Sequence, residues 1–194
     1  MNLPPLILAS QSPRRSDLLR GMGINFTVIA SDAVEIHTEE LTVFEMSQLN
    51  AYRKARVVAK KFPDALVVGA DTLVAVESAV LGKPTNLEDA YRMLKQLQGR
   101  THQVVTGVCL LHLRGHRQKL FAENSEVTFR PLEVQQIRDY LASINPLDKA
   151  GAYAIQEGGE KIVESVEGSF SNVVGLPVER LQAELAEWDK VPFL

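Results

Sequence analysis

A chain of 194 residues, 45% hydrophobic and 23% charged, is long and apolar enough to bury a core, which excludes a disordered or fibrous protein. Its formal net charge of −3 excludes a broad basic face for nucleic acid or an anionic membrane, so any anionic ligand must be met by cations gathered locally. The one cysteine, Cys109, allows no disulfide within the chain and reads as a core residue; no apolar run reaches the ~20 residues of a membrane span and no basic leader precedes residues 3–9, so a cytoplasmic location is expected.

The apolar run 6–9 predicts a strand that empties into Ser10-Gln11-Ser12-Pro13-Arg14-Arg15. There Ser12 suits an N-cap and Pro13 the first helical position, with Leu18, Leu19 and Met22 as the apolar stripe and Gly23 as the stop. The amides of such a first turn favour an anion, and two arginines beside them add fork-shaped donors, which points to a phosphorylated ligand. The alternative is that Arg14 and Arg15 are solvated surface charges.

Residues 25–29 predict a second strand, and Thr42-Val43-Phe44-Glu45 is a capping box opening a long helix toward Phe62-Pro63 that carries Lys54. A short strand at 65–68 runs into Gly69-Ala70-Asp71-Thr72, and the β pattern resumes at 73–76 before a turn at 77–79, so Asp71 interrupts an apolar strand. Asn86 caps a further helix that ends at Gly99. Residues 103–113 and 118–129 predict a hairpin around Arg114-Gly115-His116, and 133–143 a helix. The stretch 145–175 is polar and glycine-rich, with one clear strand at 162–166; it holds Asp148, Lys149, Gln156, Glu157 and Lys161 and is where binding residues are expected. An amphipathic helix at 177–188 closes the pattern. No repeat or linker divides the chain, so one α/β domain spanning 1–194 is expected.

Asp71 is the leading catalytic candidate, because a carboxylate bracketed by apolar residues is costly to bury without a partner such as a cation or a water to deprotonate. Thr72 beside it offers a hydroxyl. Lys54 can run its stem along the core-facing stripe of its helix, and Lys83 lies in Gly82-Lys83-Pro84; with Arg15 they would offset most of the charge of a nucleoside triphosphate. Neither a Gly-x-Gly-x-x-Gly nor a P-loop motif occurs, and the four histidines show no zinc spacing with Cys109. A hard cation held by oxygens stays open, with Glu35, Glu39 and Glu40 as acidic neighbours that are either solvated or help bind it.

In this order the segments LILASQSPRRSDLL (6–19), RKA (53–55), GADT (69–72), LGKP (81–84), THQVVTGV (101–108), PLDKAGAYAIQ (146–156) and SFSNVVGLP (169–177) resemble the Maf family of nucleoside triphosphate pyrophosphatases. The resemblance covers almost the whole chain. It implies a mixed α/β fold, with a twisted sheet, flanking helices and two lobes around a central cleft, and hydrolysis of a nucleoside triphosphate to monophosphate and pyrophosphate with Mg²⁺ or Mn²⁺. It makes Asp71 the proton acceptor and a candidate metal ligand, and Ser10, Arg15, Lys54 and Lys83 phosphate-binding residues. Arg14, Thr72 and Gln156 match members acting on dTTP and UTP, and a glutamine amide can both donate to and accept from a uracil or thymine edge. Glu157 departs from the pattern, since glycine commonly follows that glutamine, and leaves the breadth of substrate open. The alternatives are a 7-methyl-GTP-type pyrophosphatase and a non-catalytic, nucleotide-sensing regulator of septum formation. No stable nucleic acid complex or membrane contact is expected, and monomer and homodimer are both compatible with the sequence.

Overall fold

The structure, a computed structural model, describes residues 3–190, the side chain of Asp189 excepted; the ends of the expected domain, 1–2 and 191–194, lie outside the described residues. One seven-stranded mixed sheet carries strands β1 (Leu6–Leu8), β2 (Phe26–Val28), β3 (Leu66–Val76), β4 (Ala79–Leu81), β5 (Thr101–His112), β6 (Arg117–Phe129) and β7 (Val163–Glu167), in the order β2-β1-β3-β5-β6-β7 with β4 paired to β3. β1 runs parallel to β2 and β3, whereas β3–β4 and β6–β7 are antiparallel. Around it lie helices α1 (Pro13–Gly21), α2 (Val43–Lys61), α3 (Leu87–Leu97), α4 (Val134–Ser143), α5 (Phe170–Val174) and α6 (Val178–Lys190).

The chain divides into two compact units. The first comprises the chain up to Asp71, Thr106–Glu123 and the chain from Gly175 onward; the second comprises Thr72–Val105 and Asn124–Val174.

In the first unit both sheet faces are covered, which is why β1 is buried at every residue. Strand alternation sends Ile7, Val67, Cys109 and Leu111 toward Ala51, Ala55, Val58 and Ala59 of α2, and sends Leu6, Leu8, Leu66, Val68, Ala70, Val108 and Leu110 toward Leu19 of α1 and Leu181, Leu185 and Trp188 of α6. Helix α2 starts from the expected capping box: Thr42 Oγ1 accepts from the Glu45 amide at 3.2 Å, and the Glu45 carboxylate accepts from the Thr42 amide at 2.9 Å. It then lies directly on the sheet. A Cβ at Gly69 would stand 2.2 Å from the Ala51 carbonyl oxygen, and one at Gly107 2.3 Å from the Ser47 backbone, so only glycine admits the helix this close.

In the second unit Ala90, Leu94 and Leu97 of α3 and Ile137, Tyr140 and Leu141 of α4 bury Val74, Val76, Val104, Val127 and Phe129. The polar stretch after α4 folds into three short 3₁₀ turns (Pro146–Asp148, Ala150–Ala152, Gly159–Lys161) before β7 and α5.

Three local expectations are corrected. β3 is one strand of eleven residues and passes through Asp71 without a break, because the carboxylate finds partners on α2. The turn after it, with Glu77 at φ 53°, returns as β4. Ser12 occupies the N-cap of α1, but its hydroxyl makes no capping bond; its amide donates to Ser10 Oγ at 3.1 Å instead.

Candidate active site

The close approach of α2 to β3 sets the geometry of the site. Gly69 and Asp71 are two residues apart on β3 and therefore share the face that meets α2. Asn50 and Lys54, one turn apart on α2, reach the same carboxylate: Lys54 Nζ donates to Asp71 Oδ1 at 2.6 Å and Asn50 Nδ2 to Asp71 Oδ2 at 3.1 Å. Lys54 Nζ also donates to Glu35 Oε1 at 2.8 Å, from the loop between β2 and α2. Asp71 is buried and Glu35 partly so. Two carboxylates thus share one ammonium, in an arrangement whose desolvation this pairing and the Asn50 hydrogen bond help to offset.

Arg15 is the second cation. Its Nε donates to the Gly175 carbonyl at 2.7 Å and its Nη1 reaches Ser10 Oγ at 3.5 Å. Burial lowers its pKa from the ordinary value, opposed by the negative charges of Asp71 and Glu35, so it stands within their field. Ser10 is buried, linking Arg15 and the Ser12 amide through one hydroxyl.

The structure therefore brings Ser10, Arg15, Lys54 and Asp71 together in the first unit. Arg14 is half-buried beside Arg15 on α1. Thr72, the next residue after Asp71, is half-buried and opens the second unit. Lys83 and Gln156 are exposed loop residues of the second unit. Their segments are tied there by the Gly151 amide, which donates to the Gly82 carbonyl at 3.0 Å. Lys149, in the same stretch, is buried and donates to the Asn145 carbonyl at 2.8 Å and Asp148 Oδ1 at 2.9 Å, with Glu157 Oε2 at 3.4 Å.

Two residues emerge that the sequence did not single out. Glu35 was one of three loop acids with nothing to separate it from Glu39 and Glu40. Asn50 carried a usable signal: it is a polar residue four positions before Lys54, next to Ala51 in the core-facing stripe. Neither Cys109 nor His102 belongs to the site. Burial raises the Cys109 thiol to about 12 and lowers the His102 imidazole to about 4, and His102 Nε2 lies 2.8 Å from the Tyr153 hydroxyl in the second unit's core.

The family model for Maf-like proteins matches residues 5–188. The chain belongs to the Maf-like protein family. Among relatives of this family, a dTTP/UTP pyrophosphatase of Carboxydothermus hydrogenoformans is 46% identical over 94% of this chain and 98% of its own length. One of Akkermansia muciniphila is 47% identical over 91% and 92%, and one of Bacillus velezensis 44% identical over 95% and 96%. Among solved structures, that of a HAM1 protein from Coxiella burnetii is a remote likeness, with a TM-score of 0.47 at 14% identity over 95% of this chain and 100% of that one.

The donor set also bears on a metal ion. No group of three or more His, Cys, Asp or Glu that could hold one occurs among the described residues. Asp71 and Glu35 nevertheless fit a hard cation such as Mg²⁺ or Mn²⁺, which is bound through one or two carboxylates and takes its remaining ligands from water and phosphate oxygens. The bonds from Lys54 and Asn50 use one lone pair on each oxygen of Asp71, and a carboxylate oxygen has two.

Proposed function

We propose that this chain hydrolyses dTTP and UTP to the monophosphate and pyrophosphate, removing them or modified pyrimidine triphosphates from the nucleotide pool. The observation that carries the reading is the buried Asp71 carboxylate held by Lys54, with Glu35 on the same ammonium and Arg15 within their field. Membership of the Maf-like family and the names of relatives over 40% identical support the substrate assignment.

In this reading Asp71 accepts the proton of a water that attacks the α-phosphorus. The new P–O bond forms as the bond from the α-phosphorus to the bridging oxygen breaks, and pyrophosphate leaves with the electron pair. Arg15, Lys54 and Lys83, with Ser10, hold the phosphates and the charge that develops on the leaving group. Asp71 and Glu35 would hold a divalent cation, Mg²⁺ or Mn²⁺, which when bound offsets phosphate charge and polarises the P–O bonds. Arg14, Thr72 and Gln156 recognise the base. The chain acts as one functional domain without a stable nucleic acid complex, and its compartment is the cytoplasm. No helix among the described residues is long and apolar enough to cross a membrane.

The test is incubation of the purified chain with dTTP and Mg²⁺, with dTMP and pyrophosphate expected in equal amounts. Asp71→Asn is expected to abolish pyrophosphate release with the fold intact by circular dichroism; turnover close to that of the unaltered chain would remove Asp71 from its role. Gln156→Ala is expected to flatten the preference for dTTP and UTP over CTP in a substrate panel, and an unchanged ranking would contradict its assignment.

A further inference from the structure

We propose that Asn50 is a positioning residue of this site, one amide that fixes both the orientation of the Asp71 carboxylate and the path of the loop that carries Glu35. The inference rests on the reading of Asp71 given above. Asn50 is only 1% exposed. Its Oδ1 accepts from the Ile36 amide at 2.7 Å, and its Nδ2 donates to the Ile36 carbonyl and to Asp71 Oδ2, both at 3.1 Å. Both amide hydrogens are therefore used. The reversed amide would set Oδ1 against two acceptors, the Ile36 carbonyl and Asp71 Oδ2, so the chemistry admits one orientation only.

Three consequences follow from this geometry. First, the two oxygens of Asp71 are held separately, Oδ1 by Lys54 at 2.6 Å and Oδ2 by Asn50, from side chains one turn apart on a single helix. A carboxylate anchored at both ends cannot rotate about its Cβ–Cγ bond without losing one anchor, so the lone pairs that would take a proton keep a fixed direction. Second, the Ile36 backbone lies in a loop with no strand partner, and Asn50 supplies both its donor and its acceptor. With Arg53 Nε donating to the Val34 carbonyl at 3.2 Å on the other side, the intervening Glu35 is delivered to the Lys54 ammonium. Third, Asn50 makes these bonds without adding charge to a cluster that already contains two carboxylates and a lysine. The surrounding α2 stripe, Ala51, Ala55 and Val58, is apolar, and an amide in that stripe costs desolvation that only its hydrogen bonds offset.

Asn50→Asp tests this with almost no change in shape, since it keeps the acceptor for the Ile36 amide and turns the donor facing both Asp71 and the Ile36 carbonyl into a second acceptor. With dTTP and Mg²⁺, kcat is expected to fall roughly ten- to a hundredfold while KM stays within about twofold, the pattern of a misoriented reacting group rather than of lost substrate contacts. A kcat equal to that of the unaltered chain, with Asp71→Asn inactive, overturns the role of Asn50 and leaves the reading of Asp71 standing. A fall in kcat that only mirrors a smaller folded fraction also overturns it. Turnover in Asp71→Asn overturns both. Should Asn50→Asp fail to fold, the side-chain amide protons of Asn50 in the otherwise unaltered protein decide by NMR. They are expected to shift when Asp71 becomes Asn, and resonances that stay in place refute the bond on which the inference stands.

Discussion

Among the described residues two lysines, Lys54 and Lys149, each sit between two carboxylates, and they are built differently. Lys54 stands on a long helix and draws Asp71 from a strand and Glu35 from a distant loop, so three separate elements must be in place before the cluster exists. Lys149 takes Asp148 and Glu157 from its own stretch of chain. Exposure separates them further: the Asp71 side chain is 6% exposed, whereas those of Asp148 and Glu157 are 46% and 43% exposed. A carboxylate in water gives up little when its cation leaves, but a buried one is left uncompensated. The first cluster is a costly arrangement, for which the proposed chemistry supplies a reason; the second is a local clasp that shapes a loop.

Replacing each lysine by an apolar residue of similar volume puts this contrast to the test. Lys54→Met is expected to cost about 3–5 kcal/mol in urea unfolding and to abolish turnover, because Asp71 stays buried without its cation. A cost below about 1 kcal/mol would mean that water already reaches the carboxylates and that the two clusters are alike.

The pH response separates the second unit from its clasp. His102 is buried and its pKa is lowered to about 4 from an ordinary 6.5, so the unfolded chain binds a proton that the folded chain does not throughout that interval. Stability from this source is complete above pH 6.5 and is lost as pH falls toward 4. Between pH 7 and pH 4.5 the unaltered protein is expected to lose about 2–3 kcal/mol more than His102→Gln, measured by denaturant unfolding at both values. Equal losses would place the acid sensitivity elsewhere.

Lys149→Met is expected to have the smallest effect, within about 1 kcal/mol, since both carboxylates can return to water. A large loss would show that the clasp carries the fold of its loop. Its effect should appear instead in the preference for dTTP and UTP over CTP, because Gln156 lies in the segment it closes.

How much of this was legible in the sequence follows from how local each signal is. Thr42 and Glu45 announce the start of α2 because a capping box is complete within four residues. The β5–β6 hairpin is visible because two long strand-forming runs flank Arg114-Gly115-His116. Asp71 and Lys54 stand out because charge in an apolar run calls for a partner. The continuity of β3 through Asp71 was hidden, since the partners that make the carboxylate tolerable come from residues 50 and 54. Glu35 was equally hidden, because a loop has no periodicity and the residues that fix the backbone on either side of it, Asn50 at Ile36 and Arg53 at Val34, lie on a distant helix. The short β4 follows a turn at Glu77 with no glycine to mark it. The 3₁₀ turns and α5 depend on contacts with distant residues, such as the Ser169 carbonyl accepting from Ser125 Oγ at 2.9 Å.

Cys109 gives the first unit a built-in reporter. The thiol lies in the layer between α2 and the sheet, and burial holds it far from the ionised form that reacts with disulfide and alkylating reagents. Modification must therefore wait until α2 lifts. The rate at which this one sulfur is labelled, followed with increasing denaturant, will measure how often the floor beneath Asp71 opens, with no dye or tag added to the protein.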